Sequence, residues 1–226
     1  MPKSVKGGLV RIELTNRAKG EHGAQLVRAE QGHSAQEALK AAGAWGEQGK
    51  PLPSWVHITG GLGDVDEGKT SSVTQELAPG RYVVAAIETD ANAPLEITGG
   101  GASGGLPSAP GRIEATEYAF AAESLEAGAN TVLFDNMGTE PHFIAAAPIK
   151  PGKTLADVRG FVRQEKGEPP IDEQAGFSTA VLDGGERQTV ELELRKGRYA
   201  LLCFVPDRKG GTPHVAKGMV SEAVVR

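Results

Sequence analysis

The chain has 226 residues, 39% hydrophobic and 23% charged, with a formal net charge of −5, the make-up of an ordinary globular protein. An acidic balance without a basic cluster argues against a nucleic-acid binder, and no apolar run approaches the roughly 18 residues of a membrane-spanning helix. The 31 glycines and 14 prolines suit many short strands joined by tight turns, and a single cysteine excludes an internal disulfide.

The chain opens on Met1-Pro-Lys-Ser-Val-Lys-Gly-Gly8, which lacks the hydrophobic stretch of a secretory signal. The expectation is either a cytosolic protein or one whose leader has been removed. Leu9-Val-Arg-Ile-Glu-Leu-Thr-Asn16 alternates as a strand does, and His22 follows its Asn by six residues. Asn130-Thr-Val-Leu-Phe-Asp-Asn136 repeats that pattern, with His142 six residues on, so both pairs sit at an offset of 120. Ser34-Ala-Gln-Glu37 and Thr154-Leu-Ala-Asp157 each place a hydroxyl three residues before an acid, predicting two short helices at matching positions. Arg81-Tyr82-Val-Val and Arg198-Tyr199-Ala-Leu match again at an offset of 117. An internal duplication is the simple explanation.

Between the copies runs Gly99-Gly-Gly-Ala-Ser-Gly-Gly-Leu-Pro-Ser-Ala-Pro-Gly111, a composition that cannot pack a core and reads as a linker. The division is therefore 1–98, a linker over 99–111, and 112–226. The second copy begins with Ile113-Glu-Ala-Thr-Glu-Tyr-Ala-Phe120, predicted as one alternating strand without a counterpart in the first copy. The predicted fold class is all-β: two Greek-key sandwiches or barrels in tandem, each with a short helix.

Four residues of the second copy carry metal chemistry. Cys203 ends an apolar strand, a Gly-rich loop leads to His214 and Met219, and His142 must be brought across by the fold. Each has a blander reading alone: Cys203 as an inert core residue, Met219 as packing, His142 as a turn cap. Together, a thiolate, two imidazoles and a weak thioether suit both oxidation states of copper and so suit electron transfer.

The order Asn136-Met-Gly-Thr-Glu-Pro-His142, then Cys203, His214 and Met219, resembles the cupredoxin (blue-copper) family. That resemblance implies one type 1 copper per chain, with His142, Cys203 and His214 as ligands and Met219 axial. It implies that Asn136 lies behind the ligands and ties their loops together. It further implies that His214 sits at an exposed edge, flanked by Pro213 and Val215, where a redox partner protein docks. Blue-copper proteins generally act outside the cytoplasm, so a periplasmic or extracellular location follows from the resemblance. Ten residues separate Cys203 from His214, more than in small electron carriers of the family.

The first copy has Ala86 at the position of Cys203 and no His or Met after it, so it is expected to be metal-free. His22, His33 and His57 are then structural or surface residues, and Trp45 and Trp55 are packing residues. Five histidines without a His-X-His pair, and Leu202 rather than His before Cys203, argue against an oxygen- or nitrite-reducing enzyme. The functional expectation is a copper electron-transfer protein. A metal-free cupredoxin-fold binding or scaffold module, or a copper storage or delivery protein, are the alternatives.

Overall fold

A computed structural model describes residues 1–101, 104–164 and 166–226. Two residues of the expected linker, Ala102 and Ser103, lie outside the described residues. The chain forms β1 (Ser4–Lys6), β2 (Gly8–Thr15), β3 (His22–Ala29), α1 (Ala35–Gln48), β4 (Val56–Val65), β5 (Thr70–Leu77), β6 (Gly80–Ala86) and β7 (Asn92–Thr98). It continues as β8 (Gly111–Thr116), β9 (Ala119–Glu123), β10 (Gly128–Asn136), β11 (Ala145–Pro148), α2 (Leu155–Gln164), β12 (Phe177–Ser178), β13 (Arg187–Leu194), β14 (Gly197–Leu202) and β15 (Val220–Val225). The expected all-β class holds.

Three sheets build two sandwiches. The first has the order β1-β7-β6-β3-β4, the second β2-β5-β13-β10-β8-β9, and the third β12-β11-β14-β15. Several pairings recur in both units. β2 pairs antiparallel with β5 as β10 does with β13, and the parallel pairing of Val5 with Ile97 is matched by a parallel bridge between Leu125 and Val225. The helices start as their sequences demand. Ser34 and Glu37 form a reciprocal capping box, and Thr154 and Asp157 exchange the same bonds. Each unit also carries a tyrosine whose hydroxyl reaches the carbonyl four residues back, Tyr82 to Ala78 and Tyr199 to Arg195.

The stretch 113–120 is a hairpin, not one strand. β8 and β9 pair antiparallel with a turn at Glu117 and Tyr118. Glu117 leaves the ladder because its carboxylate accepts the backbone N–H groups of Thr139 and Glu140 and the hydroxyl of Thr139. That turn also carries Tyr118 over to the loop after Cys203.

The middle sheet crosses from one unit to the other through β5 and β13, where Val73 faces Val190, Thr74 faces Thr189 and Gln75 faces Gln188. Both glutamines are buried, and the oxygen of each lies within reach of the Gly61 N–H. Gly61 has a positive φ of 123°, and a Cβ there would lie 2.1 Å from the Ala24 carbonyl oxygen, so only glycine fits. One apolar cluster spans this seam, joining Leu62, Val65 and Val73 to Phe134, Tyr199, Cys203 and Met219. Among the described residues no helix is long and apolar enough to cross a membrane.

Candidate metal centre

The strand ends deliver the donors. His142 stands between β10 and β11, its backbone N–H donating to the Leu182 carbonyl at 2.9 Å and its own carbonyl accepting from Leu182 N–H at 2.8 Å. Asn136 fixes the turn before it. Its side-chain nitrogen donates to the carbonyls of Glu140 and Leu182, and its oxygen accepts from the Gly138 N–H. Asn16 makes the matching set with Gly20, Val65 and Ala18, in a unit without the thiolate. The motif therefore shapes the loop that presents the histidine. Its side-chain hydrogen bonds go to Gly138, Glu140 and Leu182.

Cys203 follows directly on β14, and His214 opens a single 3₁₀ turn, His214–Lys217. Backbone bonds from His214 N–H to the Val205 carbonyl, Val215 N–H to the Cys203 carbonyl and Met219 N–H to the His214 carbonyl draw the loop ends together. Gly218, at a φ of 97°, ends the turn in the left-handed region and starts Met219 back toward the core.

The geometry brings three donor atoms to one point. His214 Nδ1 lies 3.5 Å from Cys203 Sγ, His142 Nδ1 lies 3.7 Å from it, and the two Nδ1 atoms are 3.0 Å apart. Metal–imidazole bonds of about 2.0–2.1 Å and metal–thiolate bonds of about 2.3 Å span separations of that size. All three side chains are fully buried, as is Met219, which packs in the same apolar cluster as Cys203. This is the one group of three or more potential metal-ligating side chains of its kind among the described residues. A lone cysteine and two neutral imidazoles with a thioether beside them suit copper in both oxidation states.

Burial governs the titration of the donors. It pushes His142 down to about 4, with the neighbouring His214 acting in the same direction. It lowers His214 as well, against the pull of Asp207. It raises Cys203 to about 12 in spite of the N–H groups of Phe143 and Val205 that favour the thiolate.

The expected exposed edge at His214 is not there. His214 has no accessible surface, Val215 is buried, and of the three only Pro213 is exposed. The cause is Asp207, whose Oδ1 lies 3.0 Å from His214 Nε2 and accepts from the Tyr118 hydroxyl at 3.0 Å. Lys217 closes the group by donating to the second carboxylate oxygen of Asp207. Sequence reasoning missed Asp207, Tyr118 and Lys217; the unusual length of the loop between Cys203 and His214 was the one signal of them. The half-exposed side chain nearest the thiolate along the chain is Phe204, with Phe143 tilted against it at 6.5 Å.

The remaining histidines are placed elsewhere. His22 Nε2 contacts the Lys19 carbonyl at 3.1 Å, His33 stacks on Trp55 at 3.8 Å, and His57 Nε2 contacts Glu30 at 3.0 Å. Trp45 is buried in the core of the N-terminal unit, as expected of a packing residue, and its indole N–H reaches the loop of the other unit.

No family model matches the chain, and no curated protein matches it. Among solved structures it is similar to dithionite-reduced auracyanin from the photosynthetic bacterium Roseiflexus castenholzii, at 21% identity over 51% of this chain and 94% of that one, with a TM-score of 0.33. A blue copper oxidase and a copper nitrite reductase from Nitrosomonas europaea each align over 99% of this chain at 12% identity. They are covered over 75% and 81% of their lengths, with TM-scores of 0.25 and 0.27. At such low identity and score the class is carried by the chain's own sheets and donor atoms. They define two cupredoxin-like β-sandwiches, the second bearing the donor set of a type 1 copper site.

Proposed function

We propose that the protein is a one-electron carrier whose copper would be held by His142, Cys203 and His214, with Met219 as a further, weaker donor. The observation that supports this most is the convergence of two imidazole nitrogens and one thiol sulfur inside a closed, water-excluded pocket. Copper bound there supplies a one-electron couple.

The residues supply what such a couple needs. Backbone bonds at both ends of the loop hold Cys203 and His214 in a single arrangement, so little has to move when the charge changes. Full burial of all four side chains leaves no donor facing solvent, as a site that binds and turns over a substrate would require. Electron carriage to a redox partner protein is the reading that fits a closed site, in preference to substrate turnover.

The test is titration with one equivalent of Cu(II), followed by visible absorption and electron paramagnetic resonance. An intense thiolate-to-copper band at one copper per chain is expected, and Cys203→Ser should abolish it. A colourless protein that refuses copper would overturn the reading and leave the metal-free binding module. Copper that binds without the band and is released easily would favour storage or delivery.

A further inference from the structure

The loop between Cys203 and His214 is long because it is anchored on the other unit. Trp45 Nε1 of α1 donates to the Asp207 carbonyl at 2.8 Å, Leu52 N–H donates to the Arg208 carbonyl at 2.7 Å, and Gly211 N–H donates to the Gly49 carbonyl at 3.0 Å. The two backbones touch: a Cβ on Gly210, whose φ is 81°, would lie 2.2 Å from the Gly49 carbonyl oxygen. Arg208 pins the same segment, its guanidinium pairing with Asp183 and donating to the Val56 carbonyl at 2.7 Å.

Asp207 is thus held by its backbone from the N-terminal unit while its side chain faces the candidate ligand. His214 turns Nδ1 toward Cys203 and His142, so the proton of the neutral ring belongs on Nε2, the atom 3.0 Å from Asp207 Oδ1. A carboxylate accepting from the outer nitrogen of a metal-bound imidazole orients the ring and raises its basicity. That favours the more highly charged oxidation state of the metal. Tyr118 donates to the same oxygen and draws on the same lone pairs.

Resting on the copper reading above, we propose that Asp207 is a positioning residue that orients His214 and sets the Cu(II)/Cu(I) balance. The N-terminal unit serves the centre by holding Asp207 in place through Trp45. This gives the N-terminal unit a role at a site to which it contributes no donor.

The experiment compares the reduction potential of the copper-loaded full chain with those of Asp207→Asn, Tyr118→Phe and Trp45→Phe, alongside proton NMR of the Cu(I) form. Asp207→Asn removes the charge and should favour Cu(I) at least tenfold, a rise of about 59 mV for one electron. Tyr118→Phe should move the potential the opposite way, because it frees the carboxylate for His214. Trp45→Phe should raise it by less than Asp207→Asn does. The His214 Nε2 proton should exchange slowly in the wild type and fast in Asp207→Ala. An unchanged potential in Asp207→Asn, or shifts of one sign in both Asp207→Asn and Tyr118→Phe, would overturn the proposal while the copper band stands. Should Asp207→Asn fail to fold, the sign of the Tyr118→Phe shift and the exchange of the wild-type proton still decide it. Absence of the band in the wild type would instead sink the copper reading.

Discussion

Burial places opposite demands on the donors of the centre. Removing an imidazolium from water is costly, so His142 and His214 are held neutral, with His142 pushed down to about 4. Removing a thiolate from water is equally costly, so Cys203 keeps its proton up to about 12. At neutral pH the imidazoles are ready to bind a cation and the sulfur is not. Copper uptake should therefore release one proton per ion, and apparent affinity should rise about tenfold per pH unit above the histidine range. Competition with a chelator of known affinity at several pH values checks this; a flat profile would place the proton elsewhere. Folding energetics carry the complementary sign. The folded pKa of His142 lies below its ordinary value of 6.5, so the folded metal-free chain binds fewer protons than the unfolded one between about 6.5 and 4. The stability this brings is present above 6.5 and is lost as pH falls toward 4, at up to about 1.4 kcal/mol per pH unit for each histidine that behaves this way. Urea unfolding of the metal-free protein at pH 7 and pH 5 should show the loss, and His142→Gln should flatten it.

At the scale of the elements, the Asn–His turns offer an internal comparison. Asn16 and Asn136 each donate to two carbonyls and accept from one N–H beside a strand end. Replacing either by Ala should cost about 1–3 kcal/mol, since a buried side chain loses its hydrogen bonds, among them the buried one to Val65 or Leu182. Only Asn136→Ala should also weaken copper retention, because only its turn presents a donor. Thermal unfolding and copper dialysis on the two variants separate the effects. This motif was legible in the sequence because it is local: its six-residue span and its repetition need no knowledge of the fold. The donors were legible because a thiolate, two imidazoles and a thioether in that order form a chemical pattern. The hairpin at Glu117 and Tyr118 was hidden, because alternation continues through it and the break depends on Thr139 and Glu140 arriving from elsewhere. The sealing of His214 was hidden for the same reason. Tyr118, Trp45 and Asp207 are far apart in the chain and meet only through the packing of two units.

At the scale of the molecule, the seam makes one cooperative body out of two sandwiches. Val73 and Val190 face each other across it with the same separation in sequence as Tyr82 and Tyr199, so the units meet through corresponding strands in the manner of a symmetric dimer. Pairing β5 with β13 gives each strand a partner on a side that would otherwise be an open sheet edge. The apolar cluster around Cys203 and Met219 reaches into the N-terminal unit through Leu62, Val65 and Val73, so this part of the core is shared by both halves. Thermal unfolding should accordingly be a single transition. Fluorescence of Trp45 and Trp55, both in the N-terminal unit, should follow the same curve as the copper band in the C-terminal unit and the far-ultraviolet circular dichroism of the whole. Copper should raise the midpoint seen by all three probes, since a ligand bound to the native state stabilises whatever unfolds with it. Val73→Asp buries a charge against Val190 and should lower that common stability by about 3 kcal/mol or more. A fluorescence transition that ignores copper and precedes the loss of the band would show that the units unfold separately, and the seam would then be a contact between two independent domains.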